Sequence, residues 1–158
     1  MWKLNWVRLR WILVLCVGLL SACGKGGPPL AATSGVVTYQ GDPVVDAQVV
    51  FMSLEKFDGR TWPASAVTDG DGKYELETPG VGRGALIGKH SVSITKRGLS
   101  PGAVPGSPAV GNETRPEMQA YMQPGPPLIP KKYFSPVTSG LDAEVQAGGS
   151  TINFELRD

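Results

Sequence analysis

Short runs of alternating apolar and polar residues, each closed by a glycine, proline or aspartate turn, constrain this chain more than any other feature. Val37 and Tyr39 alternate with Val36 and Thr38. From Asp46 to Ser53, Ala47, Val49 and Phe51 share one face. Tyr74 and Leu76 alternate with Glu75 and Glu77, and His90, Val92 and Ile94 with Ser91, Ser93 and Thr95. Near the end, Ala143, Val145 and Ala147 share a parity. Ile152, Phe154 and Leu156 then alternate with Asn153, Glu155 and Arg157. A period of two sends successive side chains to opposite faces of a strand, so each run has one face to bury and one to wet. With Pro63 to Thr68 added, about seven short strands are predicted. That is the pattern of an all-β protein, an antiparallel β-sandwich. The expected core is Val49, Phe51, Tyr74, Leu76, Val92, Ile94, Val145, Ile152, Phe154 and Leu156.

The punctuation agrees. Gln40-Gly41-Asp42-Pro43 reads as a turn, Glu55 to Arg60 as a polar loop and Gly80 to Gly88 as a glycine-rich loop. Asp69-Gly70-Asp71-Gly72 is a tight turn in which Asp-Gly supplies the positive φ of a hairpin. Glycine and proline make up 35 of 158 residues, about 22% against an average near 12%. This favours turns over helices. One segment breaks the rhythm: Arg97 to Leu141 holds nine of the fourteen prolines, an unusually long connection for a compact domain. Gly98 to Gly111 reads as flexible. Thr114-Arg115-Pro116-Glu117 is a capping box that could open one short helix ending near Met122. Leu128 to Leu141 is richer in aromatic and apolar residues and is expected to pack on the sandwich.

The N-terminus carries a different signal. Lys3, Arg8 and Arg10 form a basic region without an acid, and Trp11 to Leu20 is apolar apart from Gly18. The apolar run is shorter than the roughly 20 residues of a membrane span. Leu20-Ser21-Ala22-Cys23 follows. These pieces resemble a bacterial lipoprotein signal peptide. The resemblance implies cleavage of residues 1–22, a diacylglycerol thioether on Cys23 and an acylated amino group. Residues 23–32 would then be a flexible tether raising the domain from the membrane by roughly 15–30 Å. In enterobacterial lipoproteins an Asp after the cysteine retains the protein at the inner membrane. Gly24 stands there, which points to the outer membrane.

Charge and cysteine usage exclude other classes. The chain has formal charge +1, and residues 1–22 carry three cations and no anion, which leaves −2 for the remainder. No basic patch marks a nucleic-acid partner. Cys16 leaves with the signal and Cys23 takes the lipid, so no disulfide can form within the mature chain. Its stability must come from a core.

Four segments, in order, are similar to carboxypeptidase regulatory-like domains. They are Ser34-Gly35-Val36-Val37-Thr38-Tyr39-Gln40-Gly41-Asp42-Pro43-Val44, Ala47-Gln48-Val49-Val50-Phe51, Thr68-Asp69-Gly70-Asp71-Gly72-Lys73-Tyr74-Glu75-Leu76, and Gly88-Lys89-His90-Ser91-Val92-Ser93-Ile94. Ile129-Pro130-Lys131-Lys132-Tyr133-Phe134-Ser135-Pro136-Val137-Thr138-Ser139-Gly140-Leu141 further resembles a loop of small lipoproteins from planctomycete-type bacteria. The resemblance implies a transthyretin-like (prealbumin-type) sandwich over residues 33–158, with 97–141 as its long connection. It implies little about activity.

Candidate chemistry is sparse. His90 is the only histidine and the one base available to a Ser-His-Asp arrangement, but its parity with Val92 and Ile94 turns it inward. Transthyretin-like hydrolases need several histidines, and a zinc peptidase needs a ligand set this chain lacks. Asp69 and Asp71 are weak calcium candidates, because Lys73, Tyr74 and Gly80 stand at the fifth, sixth and twelfth positions of the loop. No lysine lies between Lys25 and Lys56 to form an internal isopeptide bond. Trp62, Tyr121, Tyr133 and Phe134 could stack on sugars, although Tyr133 and Phe134 are expected to seal a sandwich edge. No cofactor is expected. The expected function is a lipid-anchored, non-catalytic binding or structural module at the cell envelope, facing the periplasm or cell exterior. A carbohydrate-binding module using Trp62 and the long loop is the alternative, and an unrecognised hydrolase the third. Trp62 and Tyr121 are the expected contact residues for an envelope protein or polysaccharide.

Overall fold

A computed structural model describes residues 27–99 and 124–158. Over these residues the protein is all-β. Among the described residues the one helical element is a 3-10 helix, Lys131–Phe134. The strands are β1 Leu30–Ala31, β2 Thr33–Tyr39, β3 Asp42–Pro43, β4 Gln48–Ser53, β5 Ala64–Val67, β6 Lys73–Glu75, β7 Glu77–Thr78, β8 Gly82–Arg83, β9 Ala85–Leu86, β10 Gly88–Thr95, β11 Leu141–Val145, β12 Ser150–Thr151 and β13 Phe154–Leu156. One sheet runs β11-β10-β4-β5-β7-β8, antiparallel throughout. A second gathers β12, β13, β3 and β6 around β2, and β1 pairs with β9.

The core lies between the two sheets, where alternation placed it. Val49, Phe51, Tyr74, Leu76, Val92, Ile94, Val145, Phe154 and Leu156 are all buried, joined by Val37, Ala47, Ala64 and Ile129. Phe51 is its hub, with ring centroids 6.2 Å from Tyr74, 5.9 Å from Phe154 and 5.7 Å from His90. Buried hydroxyls join segments far apart in the chain. The Thr68 hydroxyl donates to Val44 O (2.5 Å) and accepts from the Ala47 amide (2.8 Å). It thereby ties the β3–β4 turn to the end of β5.

Several expectations are corrected. The second sheet is mixed: β12 and β13 run parallel to β2. The run from Lys73 to Thr78 is not one strand in one sheet. β6 pairs with β2, whereas β7 pairs with β5, so the chain crosses between the layers at Leu76, whose amide donates to Thr33 O. The last run is also broken, and Ile152 is only half-buried, packed against the core margin. Gly80 to Gly88 is not simply a loop, because β8 and β9 lie within it and Ala85 and Leu86 are buried. The tether does not extend to residue 32: Leu30–Ala31 pairs with Leu86–Ala85 and buries Ala31. Two apolar residues suffice there because β9 offers an unpaired edge. Ala147 lies exposed in the β11–β12 turn.

The segment from Ile129 to Leu141 does pack on the sandwich. Its 3-10 helix lies beside β10. Tyr133 is buried, and its hydroxyl donates to Arg157 O (2.8 Å) and accepts from the Arg157 amide (3.0 Å). Phe134 packs at the core margin beneath the Arg97 guanidinium, 4.7 Å away. At the neck of the long connection, Gly98 donates to Pro126 O and Leu128 to Lys96 O. The signal region, Cys23, the expected flexible stretch beyond Leu99, the Thr114 capping box and Tyr121 lie outside the described residues.

Candidate functional site

The single histidine is a core residue. His90 is 1% exposed on the inner face of β10, between Ser53 of β4 and Ala143 of β11. Its Nδ1 lies 3.1 Å from Gly88 O. Burial holds its pKa below the ordinary histidine value, against the opposing pull of the Gly88 carbonyl and the Glu55 charge. Ser53 is the adjacent hydroxyl, yet it donates to Glu55 O (3.0 Å) and accepts from the Trp62 amide (3.2 Å). Ser53 and His90 therefore do not share the hydrogen bond that joins a nucleophile to its base in acyl transfer.

The Asp69–Gly72 turn is built by its own acids. Asp69 Oδ1 accepts from the amides of Lys73 (2.8 Å) and Asp71 (2.9 Å), the local side-chain turn that aspartate favours. Those two amides, Lys73 first, lower the Asp69 pKa. Gly72 closes the turn at φ 73°, a conformation that favours glycine. Asp71 Oδ2 meets Lys73 Nζ at 2.9 Å. The lysine ammonium thus pairs with one of the two candidate carboxylates. Among the described residues no three His, Cys, Asp or Glu side chains gather as a metal cage.

Trp62 is half-buried, and its indole N–H donates to Phe57 O (3.1 Å). The ring is thus pinned to the β4–β5 loop, with its polar edge turned to its own backbone.

The tertiary structure assembles one cleft that linear reading missed. It is about 490 Å³ in volume and opens where the chain crosses between sheets. Thr151, Ser34 and Glu75 form a row across β12, β2 and β6. Arg83 and the Gly148–Ser150 turn complete the walls. These residues come from four separate stretches of the chain, 32–34, 75–76, 83–84 and 148–151, brought together only by the fold. The cleft offers hydroxyls, one carboxylate and one guanidinium, a set suited to holding a polar ligand by hydrogen bonds.

Fold and site define an all-β sandwich domain with a polar cleft at its sheet crossover. No protein-family model and no curated protein matches the chain. A solved structure of a 9R-lipoxygenase from Cyanothece PCC8801 aligns with 82% of this chain at 9% identity and a TM-score of 0.38, and the match spans 16% of the lipoxygenase chain. At that score the likeness supports no argument about fold or activity.

Proposed function

We propose that the protein is a lipid-anchored, non-catalytic binding or structural module of the bacterial cell envelope, built on a transthyretin-like sandwich of the carboxypeptidase regulatory-like type. One observation carries the non-catalytic part. Three candidate groups are engaged in architecture: His90 is buried in the core, Ser53 anchors a loop, and Asp69 shapes a turn. Anchoring rests on the sequence pattern before Cys23. One acyl chain holds a protein only marginally, whereas two or three hold it firmly. Mass spectrometry of the mature N-terminal peptide should find lipid on Cys23. An unmodified Cys23, or a chain still starting at Met1, would overturn the anchor.

A second reading, a carbohydrate-binding envelope module, is favoured by the polar cleft more than by Trp62. Its hydroxyls and its Glu75 and Arg83 charges match the donors and acceptors of a sugar. Under this reading, Arg83→Ala should abolish retention on the polysaccharide that the wild type binds and leave thermal stability unchanged.

A further inference from the structure

One buried side-chain polar atom among the described residues has no hydrogen-bond partner, and it is Nε2 of His90. The contact from Nδ1 to the Gly88 carbonyl requires a proton on Nδ1, because a carbonyl only accepts. Nε2 therefore carries the lone pair in the folded protein. An imidazolium would place a second N–H at Nε2, where no acceptor is present. A buried charge with an unmade hydrogen bond is costly.

The surrounding charges do not remedy this. Glu55 lies against Gly88, its carboxylate 3.1 Å from where a Cβ would stand, and its pull is outweighed by burial. Lys89, Asp142 and Glu144 are exposed, with the opposite parity to His90 and Ala143. The Tyr74 hydroxyl is bound to Ile152 O, and burial pushes its pKa far upward, so it stays neutral.

The residues flanking His90 also hold the β4–β5 loop. Ser53, its cross-strand neighbour, carries the bonds to Glu55 O and the Trp62 amide. Leu54 donates to the carbonyl of Lys89, the residue before it (2.9 Å). We infer that His90 is an acid-released latch: protonation expels its imidazole from the core and frees the loop that carries Trp62. The ring leaves past Lys89, and displacing β10 there withdraws the Leu54 amide's acceptor, the bond that ties the loop to this strand. A folded-state pKa below the unfolded one means that acid favours states with the ring exposed. The stability lost accumulates as pH falls below the unfolded value and levels off below the folded one. The latch does not depend on the anchoring or binding proposals.

The chain has one histidine, so NMR of the full-length protein in detergent shows one imidazole signal. The ring should stay neutral below the ordinary value of 6.5 and then titrate together with loss of amide protection at Leu54 and Trp62. Val37, in the other sheet, should remain protected. His90→Phe should move this loop opening to lower pH. Titration at 6.5 or above with the loop still protected would overturn the latch. So would simultaneous loss at Val37, or an unshifted opening in a folded His90→Phe. If that variant fails to fold, the wild-type titration decides alone.

Discussion

Phe154 shows how much rests on single side chains in a core of this size. Its ring packs edge-on against Phe51 and stacks with Tyr74, at centroid distances of 5.9 and 6.4 Å. Truncation leaves a cavity that strands on both sides cannot easily collapse. Phe154→Ala should cost about 3–5 kcal/mol, read as a lower urea midpoint, and a change under about 1 kcal/mol would contradict the packing. Polar residues work by different means. Asn153 Oδ1 accepts the Val36 amide at 2.9 Å, standing in for a backbone acceptor where the final strand kinks. Gly35 sits opposite that kink because a Cβ there would overlap the Ile152 carbonyl. The same carbonyl takes the Tyr74 hydroxyl at 2.7 Å.

At the scale of elements, those three residues explain why β12 and β13 are separate strands. Ile152 donates to Ser34 O, then the chain bends, and Phe154 resumes parallel pairing opposite Val37. The C-terminal strand is held from its far end by Tyr133. Tyr133→Phe removes both the donor to Arg157 O and the acceptor for its amide, and should cost about 1–3 kcal/mol. Hydrogen exchange should quicken at Arg157 and Leu156 before it does at Val92. Equal protection in both proteins would show that the Tyr133 hydroxyl does not hold the strand. Composition made the 128–141 segment legible as packing material, because it is richer in aromatic and apolar residues than the stretch before it. It could not reveal the 3-10 helix, which four residues are too few to signal.

For the molecule as a whole, β1 sets where the domain begins. Its pairing with β9 covers Leu86 and buries Ala31. A chain starting at residue 33 should therefore be less stable than one starting at residue 27, by about 1–3 kcal/mol, measured by thermal or urea unfolding. Equal stability would return residues 30–32 to the tether. The same β1–β9 pair borders the cleft at Ala32 and Gly84, so the shorter chain should also loosen that site.

The sequence by itself determined which faces turn inward, because a strand's side-chain period is a local property of the backbone. Val49, Phe51, Val92, Ile94, Phe154 and the inward His90 all follow from it. The Asp69 turn was readable for the same reason: its hydrogen bonds join residues no more than four apart. Only the tertiary structure decided which strands pair. The parity of residues 73–78 is the same whether they stay in one sheet or cross to the other, and the parity of residues 150–156 is the same in a parallel or antiparallel partner. Sheet choice and strand direction depend on contacts between residues far apart in the chain, such as Tyr74 with Ile152 and Tyr133 with Arg157. The polar cleft is a product of those choices, assembled where the crossover brings Ser34, Glu75, Arg83 and Thr151 together.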